Sequence, residues 1–143
     1  MICSAFGHRE VYDRIELDEL LGKLVKDKGV QLFLTGGMGE FDRRFVQAIR
    51  KVKQRDGAVR LALIKPYLTR ELQENRLFYE RDFDSVIVPE ELAGIHPKAA
   101  IDCRNKWMID QSDIVLFYVR REFGGAHRAR QYAIRKEKLI IDI

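Results

Sequence analysis

Two glycine-rich stretches stand out in the chain, Thr35-Gly36-Gly37-Met38-Gly39-Glu40-Phe41-Asp42 and Phe123-Gly124-Gly125-Ala126-His127. Each follows an apolar run and leads into a helical pattern. Glycines at such a junction permit positive φ and bring backbone close to a ligand. The helix start behind them offers free N–H groups and the positive end of a dipole, which suits a phosphate. A third junction, Gly7-His8-Arg9, places a guanidinium beside a glycine turn, an arrangement suited to bidentate recognition of phosphate or carboxylate. Neither glycine loop is a Walker A sequence, because no Gly-Lys-Ser/Thr follows. Arg104 and Asn105 interrupt an otherwise amphipathic helix over Lys98–Asp110, with Met108 one turn from Arg104. Such an arginine either carries its charge to solvent or points into a binding crevice. His8, His96 and His127 are dispersed and give no metal site, and Cys3 and Cys103 match neither a disulfide framework nor a zinc pattern. Cys103 falls on the apolar stripe of its helix and reads as core. No cofactor is implied.

These residues need a scaffold that brings them together. Six short runs rich in Val, Ile, Leu and Phe recur at Ile2–Phe6, Val30–Leu34, Val59–Ile64, Ser85–Val88, Ile114–Val119 and Leu139–Ile143. They show little polar alternation, as strands buried on both faces do. Apolar stripes at helical spacing lie between them: Leu17 to Val25, Phe41 to Val52, Ala99 to Met108, and Ala126 to Ala133. A weaker helix candidate covers Thr69–Tyr79, with Thr69 as its cap. The alternation predicts an α/β fold: a Rossmann-like, doubly wound, mainly parallel sheet of about six strands with helices on both faces. Analogy with such folds gives the strand order 3-2-1-4-5-6 and a crevice beyond the carboxyl ends of the strands. The loops after the first, second, fourth and fifth strands should converge there.

Length and composition frame this reading. The chain has 143 residues, 46% apolar and 34% charged, which fits one domain over 1–143 and excludes intrinsic disorder. No apolar stretch approaches the roughly 20 residues of a membrane span, and no basic segment precedes an apolar run at the N-terminus. A soluble cytoplasmic protein is expected. The formal net charge is +4. Residues Val119–Lys138 carry seven basic and two acidic side chains, so this segment holds +5 and the remainder −1. A basic element beside a near-neutral body is either a solvated helix face or the seat of an anionic partner.

Taken together, Gly7-His8-Arg9, the Gly-Gly-x-Gly-x-Phe-Asp of Gly36–Asp42, Arg104-Asn105-x-x-Met108 with Ser112-Asp113, and Gly124-Gly125 leading to Tyr132-Ala133 resemble the SLOG superfamily, in its YpsA-like branch. The resemblance implies a Rossmann-like domain that binds a nucleotide or nucleotide-derived ligand. It places Gly7, His8, Arg9, Gly36, Gly37, Met38, Gly39, Asp42, Arg104, Asn105, Gly124 and Gly125 at the ligand. The phosphate would lie over both glycine loops, neutralised by Arg9 and Arg104. Asp42 would contact a ribose hydroxyl or cap the second helix. Related Lonely Guy phosphoribohydrolases release the base from nucleoside 5′-monophosphates. Their Arg-Lys-x-x-Met matches at Arg104 and Met108, but Gln131 stands where their catalytic glutamate belongs, and His127 and Arg128 replace their Gly-Thr. An N-glycosidic hydrolase would therefore rest on Arg104 with Asp42 or Glu40. The superfamily also resembles the Rossmann-like domain of DNA-processing protein A, which implies single-stranded nucleic acid as another partner, although the basic final helix lacks interleaved aromatics for base stacking. Relatives make a homodimer plausible.

Overall fold

The computed structural model describes residues 1–143. Six strands, β1 (Ile2–Gly7), β2 (Leu32–Thr35), β3 (Arg60–Ile64), β4 (Ser85–Ile87), β5 (Ile114–Tyr118) and β6 (Leu139–Asp142), form one sheet. Every pairing in it is parallel. Helices α1 (Leu17–Lys28), α2 (Gly39–Arg55), α3 (Arg70–Glu74), α4 (Arg76–Asp82), α5 (Pro97–Gln111) and α6 (Gly125–Arg135) fill the connections. The fold is the α/β Rossmann-like architecture expected from the alternation of apolar runs and stripes.

The strand order differs from expectation. It is β4-β3-β2-β1-β5-β6 rather than 3-2-1-4-5-6. The chain winds outward through four strands before crossing back, so β5 and not β4 lies beside β1. The physical reason is burial. All five residues of β5 are buried, whereas the three-residue β4 is half-buried at best and cannot fill a central position. The reversal of winding therefore falls between β1 and β5, and the open end of the sheet at that point is where such folds bind ligands.

Strand residues alternate between two layers. Cys3, Phe33, Leu61, Leu116 and Tyr118 pack with Leu21 and Leu24 of α1 and Phe41, Phe45 and Ile49 of α2. Phe6, Leu34, Ala62, Val115 and Phe117 face Met108 and Ile109 of α5 and Ala129 and Ala133 of α6. The weak candidate over Thr69–Tyr79 resolves into two short helices, and Thr69 does cap the first, its hydroxyl accepting from Leu72 N–H at 3.0 Å.

Helix α5 corrects a second expectation. Its buried face is Ala100, Arg104, Asn105, Met108 and Ile109, so Cys103 and Trp107 turn partly outward. Hydrophobicity alone rotates the helix wrongly, because two polar residues occupy the inward stripe. Ser112 and Asp113 act at the far end of the sheet. Ser112 Oγ bonds Ser4 Oγ and donates to Met108 O, and Asp113 Oδ2 accepts from Ile2 N–H at 2.8 Å. They anchor the start of β1.

Candidate functional site

A crevice of about 580 Å³ opens at the carboxyl ends of β1, β2 and β5. It brings together Gly7, His8, Arg9, Gly36, Met38, Asp42, Arg104, Asn105 and Gly125 of the residues expected from sequence. Gly37, Gly39 and Gly124 belong to its loops but do not line it. Glu40 does not line it either: its carboxylate accepts from Arg43 and Arg44 on the outside of α2, and those hydrogen bonds, helped by the two charges, hold it below the usual carboxylate range. The loop after β4 also stays away, with His96 exposed. Only Lys98, at the start of α5, reaches the crevice from that side.

Arg104 is 3% exposed and lies across the floor. Its Nη1 donates to Gly36 O at 3.3 Å and Ile64 O at 3.2 Å, and its Nε donates to Asn105 Oδ1 at 3.1 Å. No carboxylate comes within ion-pair distance. The arginine thus ties the end of β3 and the loop after β2 to α5, and it neither reaches solvent nor bonds Asp113, which is exposed at the other end of the sheet. Burial lowers the pKa of its guanidinium and the nearby charge of Asp42 raises it.

Asp42 caps its own helix. Its Oδ2 accepts from Met38 N–H at 2.8 Å, in the manner of the reciprocal bond of a capping box. Burial pushes its carboxyl up to about 6, against the pull of that bond and of Arg104. Two further bonds tie down this junction. Gly37 N–H donates to Thr35 Oγ1, and Glu40 N–H donates to Arg9 O at 2.8 Å. The glycines make room for protein: a Cβ at Gly36 would sit 2.8 Å from the Arg104 guanidinium carbon, and one at Gly37 would sit 2.6 Å from Leu63 Cδ1. The space beside Gly37 is therefore core, not ligand space.

The second glycine loop is different. The first intrahelical bond of α6 runs from Arg128 N–H to Gly124 O, and no side chain caps the helix. The amides of Gly125, Ala126 and His127 have no acceptor in the protein. Around this opening stand Arg9, Lys98 and Arg121, none of which makes an ion pair, and Arg128, which pairs with Asp102. Five cations and three carboxylates line the crevice, giving it a positive balance.

His8 is buried beneath the rim. Its Nε2 accepts from Arg120 N–H at 2.8 Å, which leaves the proton of the neutral ring on Nδ1. Burial lowers its pKa, reinforced by Arg121 and Arg120, so the ring is uncharged at neutral pH. Arg120 in turn stacks over Tyr118 and donates to Asp13 Oδ2 at 2.6 Å, and Tyr118 donates to the same oxygen at 3.2 Å. This cluster joins the loop after β1 to the end of β5 and fixes where Arg9 and Arg121 stand. Sequence reasoning missed Lys98, Asp102, Arg121 and Arg128 as individual site residues. The local basic excess after Val119 was the signal for two of them. It also missed Phe123, which is 65% exposed with the Arg121 guanidinium 4.9 Å from its ring centre. No three His, Cys, Asp or Glu side chains converge as a metal would require. No helix is long and apolar enough to cross a membrane.

Comparison of the sequence with protein-family models and with curated proteins finds no match. Comparison with solved structures does. DNA processing protein A from Helicobacter pylori, described in its single-stranded DNA binding mode, superposes with a TM-score of 0.62 at 13% identity, covering 99% of this chain and 64% of that one. DNA processing protein A from Streptococcus pneumoniae gives 0.64 at 12% identity, covering 98% and 49%. The chain spans less than two thirds of either structure. At these identities the likeness establishes the fold alone, a Rossmann-like α/β arrangement shared with part of DNA processing protein A.

Proposed function

We propose that the crevice binds a nucleotide or nucleotide-derived ligand through its phosphate, seated on the free amides of α6. The observation that carries this reading is an uncapped helix start that opens into a crevice beside three unpaired cations, Arg9, Lys98 and Arg121. Unpaired N–H groups and the helix dipole favour an anion there, and guanidinium groups add charge-assisted bonds. The volume suits a mononucleotide-sized ligand. Binding without hydrolysis is the reading we favour. Gln131 offers no carboxylate, Glu40 is turned away, and Asp42 is committed to capping Met38 through one oxygen. The test is calorimetric titration with AMP, GMP, CMP and UMP, with adenosine as control and released base assayed in the same samples. Micromolar to millimolar binding of a monophosphate, with none of adenosine, supports the reading. Steady release of base would instead establish an N-glycosidic hydrolase.

A second reading is a single-stranded nucleic-acid site. It is favoured by the exposed Phe123 ring beside Arg121, which lines the crevice, since an aromatic face beside a cation is what base stacking uses. The fold shared with DNA processing protein A supports it too. Binding of oligothymidylate that weakens steeply with salt, and weakens again in Phe123→Ala, would select it.

A further inference from the structure

The crevice does not end at Arg128. A groove of about 240 Å³ continues between α5 and α6, sharing Asp102, Asn105 and Arg128 with the crevice and running on past Gln131 to Lys106 and Arg135. The partition between the two spaces is one ion pair. Arg128 Nε and Nη2 bond the two oxygens of Asp102 at 3.1 and 3.2 Å. This pair uses the carboxylate that both spaces share. The next carboxylate along α5, Asp110, is occupied by the Tyr132 hydroxyl and Lys136. Lys106 and Arg135 are left with no counter-charge, and the contact they do make is with the Tyr132 ring, at 5.5 and 5.8 Å from its centre. Two cations beside a groove, with Asp102 and Asp110 both engaged by other partners, offer charge-assisted bonds to an anion from outside the protein.

We infer that this groove is a second anion subsite, and that the ligand of the crevice carries a second phosphate group beyond Arg128. The inference rests on the nucleotide reading of the crevice and deepens it, naming a dinucleotide-like phosphodiester as the ligand class. The span supports it. Gly125 and Arg135 are ten residues apart on one helix, about 15 Å at 1.5 Å per residue. A phosphate held at Gly125 is out of reach of Arg135, so both ends of the channel are engaged only by a ligand with two anionic groups.

The test is titration of the full chain with AMP and with the dinucleotide pApA, in wild type and in a Lys106→Gln/Arg135→Gln double variant. Both side chains are exposed, so the fold should stand. In wild type pApA should bind about tenfold or more tightly than AMP, the scale of added charge-assisted bonds. The double variant should lose that margin while its AMP affinity stays within about twofold. Equal affinity of wild type for AMP and pApA overturns the second subsite and leaves the crevice reading intact, as does a margin that survives the double variant. Failure of both ligands to bind wild type overturns both. A long oligodeoxyadenylate that binds more tightly than pApA, and loses that advantage in the double variant, keeps the subsite and makes a strand the source of its phosphate.

Discussion

At Gly36–Gly39 the protein fills its own loop, and at Gly124–Gly125 it leaves the loop open. Both are strand–glycine–helix junctions at the same end of the same sheet. In the first, the Arg104 guanidinium lies against Gly36, Leu63 lies against Gly37, and Asp42 and the Arg9 carbonyl take two of the amides at the start of α2. In the second, nothing but arginine side-chain atoms 3.8–3.9 Å away would meet a Cβ at either glycine, and three amides of α6 are free. Identical loop chemistry thus serves packing at one junction and presents a cradle at the other. The difference lies in what the neighbouring elements send in.

The largest effect that separates the two loops is expected from Arg104→Ala. It strips donors from the carbonyls of Gly36 and Ile64 and leaves a cavity beneath the first loop, where each buried polar group left without its partner costs about 1–3 kcal/mol. We expect a loss of about 2–6 kcal/mol in chemical denaturation, two buried carbonyls at about 1–3 kcal/mol each. A loss below about 1 kcal/mol would mean that the first loop does not depend on this guanidinium.

The Asp42 cap makes the first loop sensitive to pH. Burial raises its carboxyl to about 6 in the folded chain, above the ordinary value of 3.8. Between these values the folded state holds a proton that the unfolded state has released, so stability falls as pH rises from about 4 through about 6 and is level above that. The full span corresponds to about 3 kcal/mol at 1.36 kcal/mol per pKa unit. In Asp42→Asn, whose amide oxygen still accepts from Met38, this component should vanish. Denaturation midpoints of the two proteins should therefore diverge with rising pH in the variant's favour. Parallel pH profiles would show that Asp42 is not the group responsible.

What sequence made legible follows the same division. Strands and helices were readable because burial on both faces leaves continuous apolar runs, as in Ile114–Tyr118, and because one-sided burial leaves stripes, as in Phe41, Phe45, Ile49 and Val52. Strand order was not, since pairing is a long-range choice. The one local clue, the shortness and polarity of Ser85–Ile87, points to an edge only when weighed against β5. Most of the residues expected at the site do meet in one crevice, because every loop at the carboxyl end of a parallel sheet is delivered to the same place. Their individual roles were not legible. Whether Arg104 faces ligand or protein depends on carbonyls at positions 36 and 64, distant in the chain and invisible to periodicity.

Gly37→Ala sharpens the comparison at smaller scale. The residue has φ 66°, a left-handed conformation that costs a side-chain-bearing residue about 1–2 kcal/mol, and the new methyl must displace Leu63. Thermal denaturation should show a loss of at least that size. AMP affinity should be unchanged once the folded fraction is accounted for, because the methyl enters the core rather than the crevice.

Gly125→Ala is the counterpart, and its effect on stability is the smallest of the four. Gly125 is the first residue of α6, it has no positive φ, and an added Cβ would find only Arg128 Nη2, at 3.8 Å. Alanine is the better helix former and restricts the unfolded chain, so stability should stay within about 0.5 kcal/mol or rise slightly. Binding should weaken here, where in Gly37→Ala it stays unchanged. The methyl stands at the crevice wall beside the free amides, where it holds a phosphate off the shortest N–H···O distances. A loss of about 1.4 kcal/mol of binding is tenfold in AMP affinity. Paired calorimetry and thermal denaturation of the two alanine variants then give opposite patterns, a destabilised binder at Gly37 and a stable weak binder at Gly125. If both variants bind AMP as wild type does, the free amides of α6 are not the phosphate seat. If Gly37→Ala alone loses binding, the roles of the two loops are the reverse of those argued from their packing.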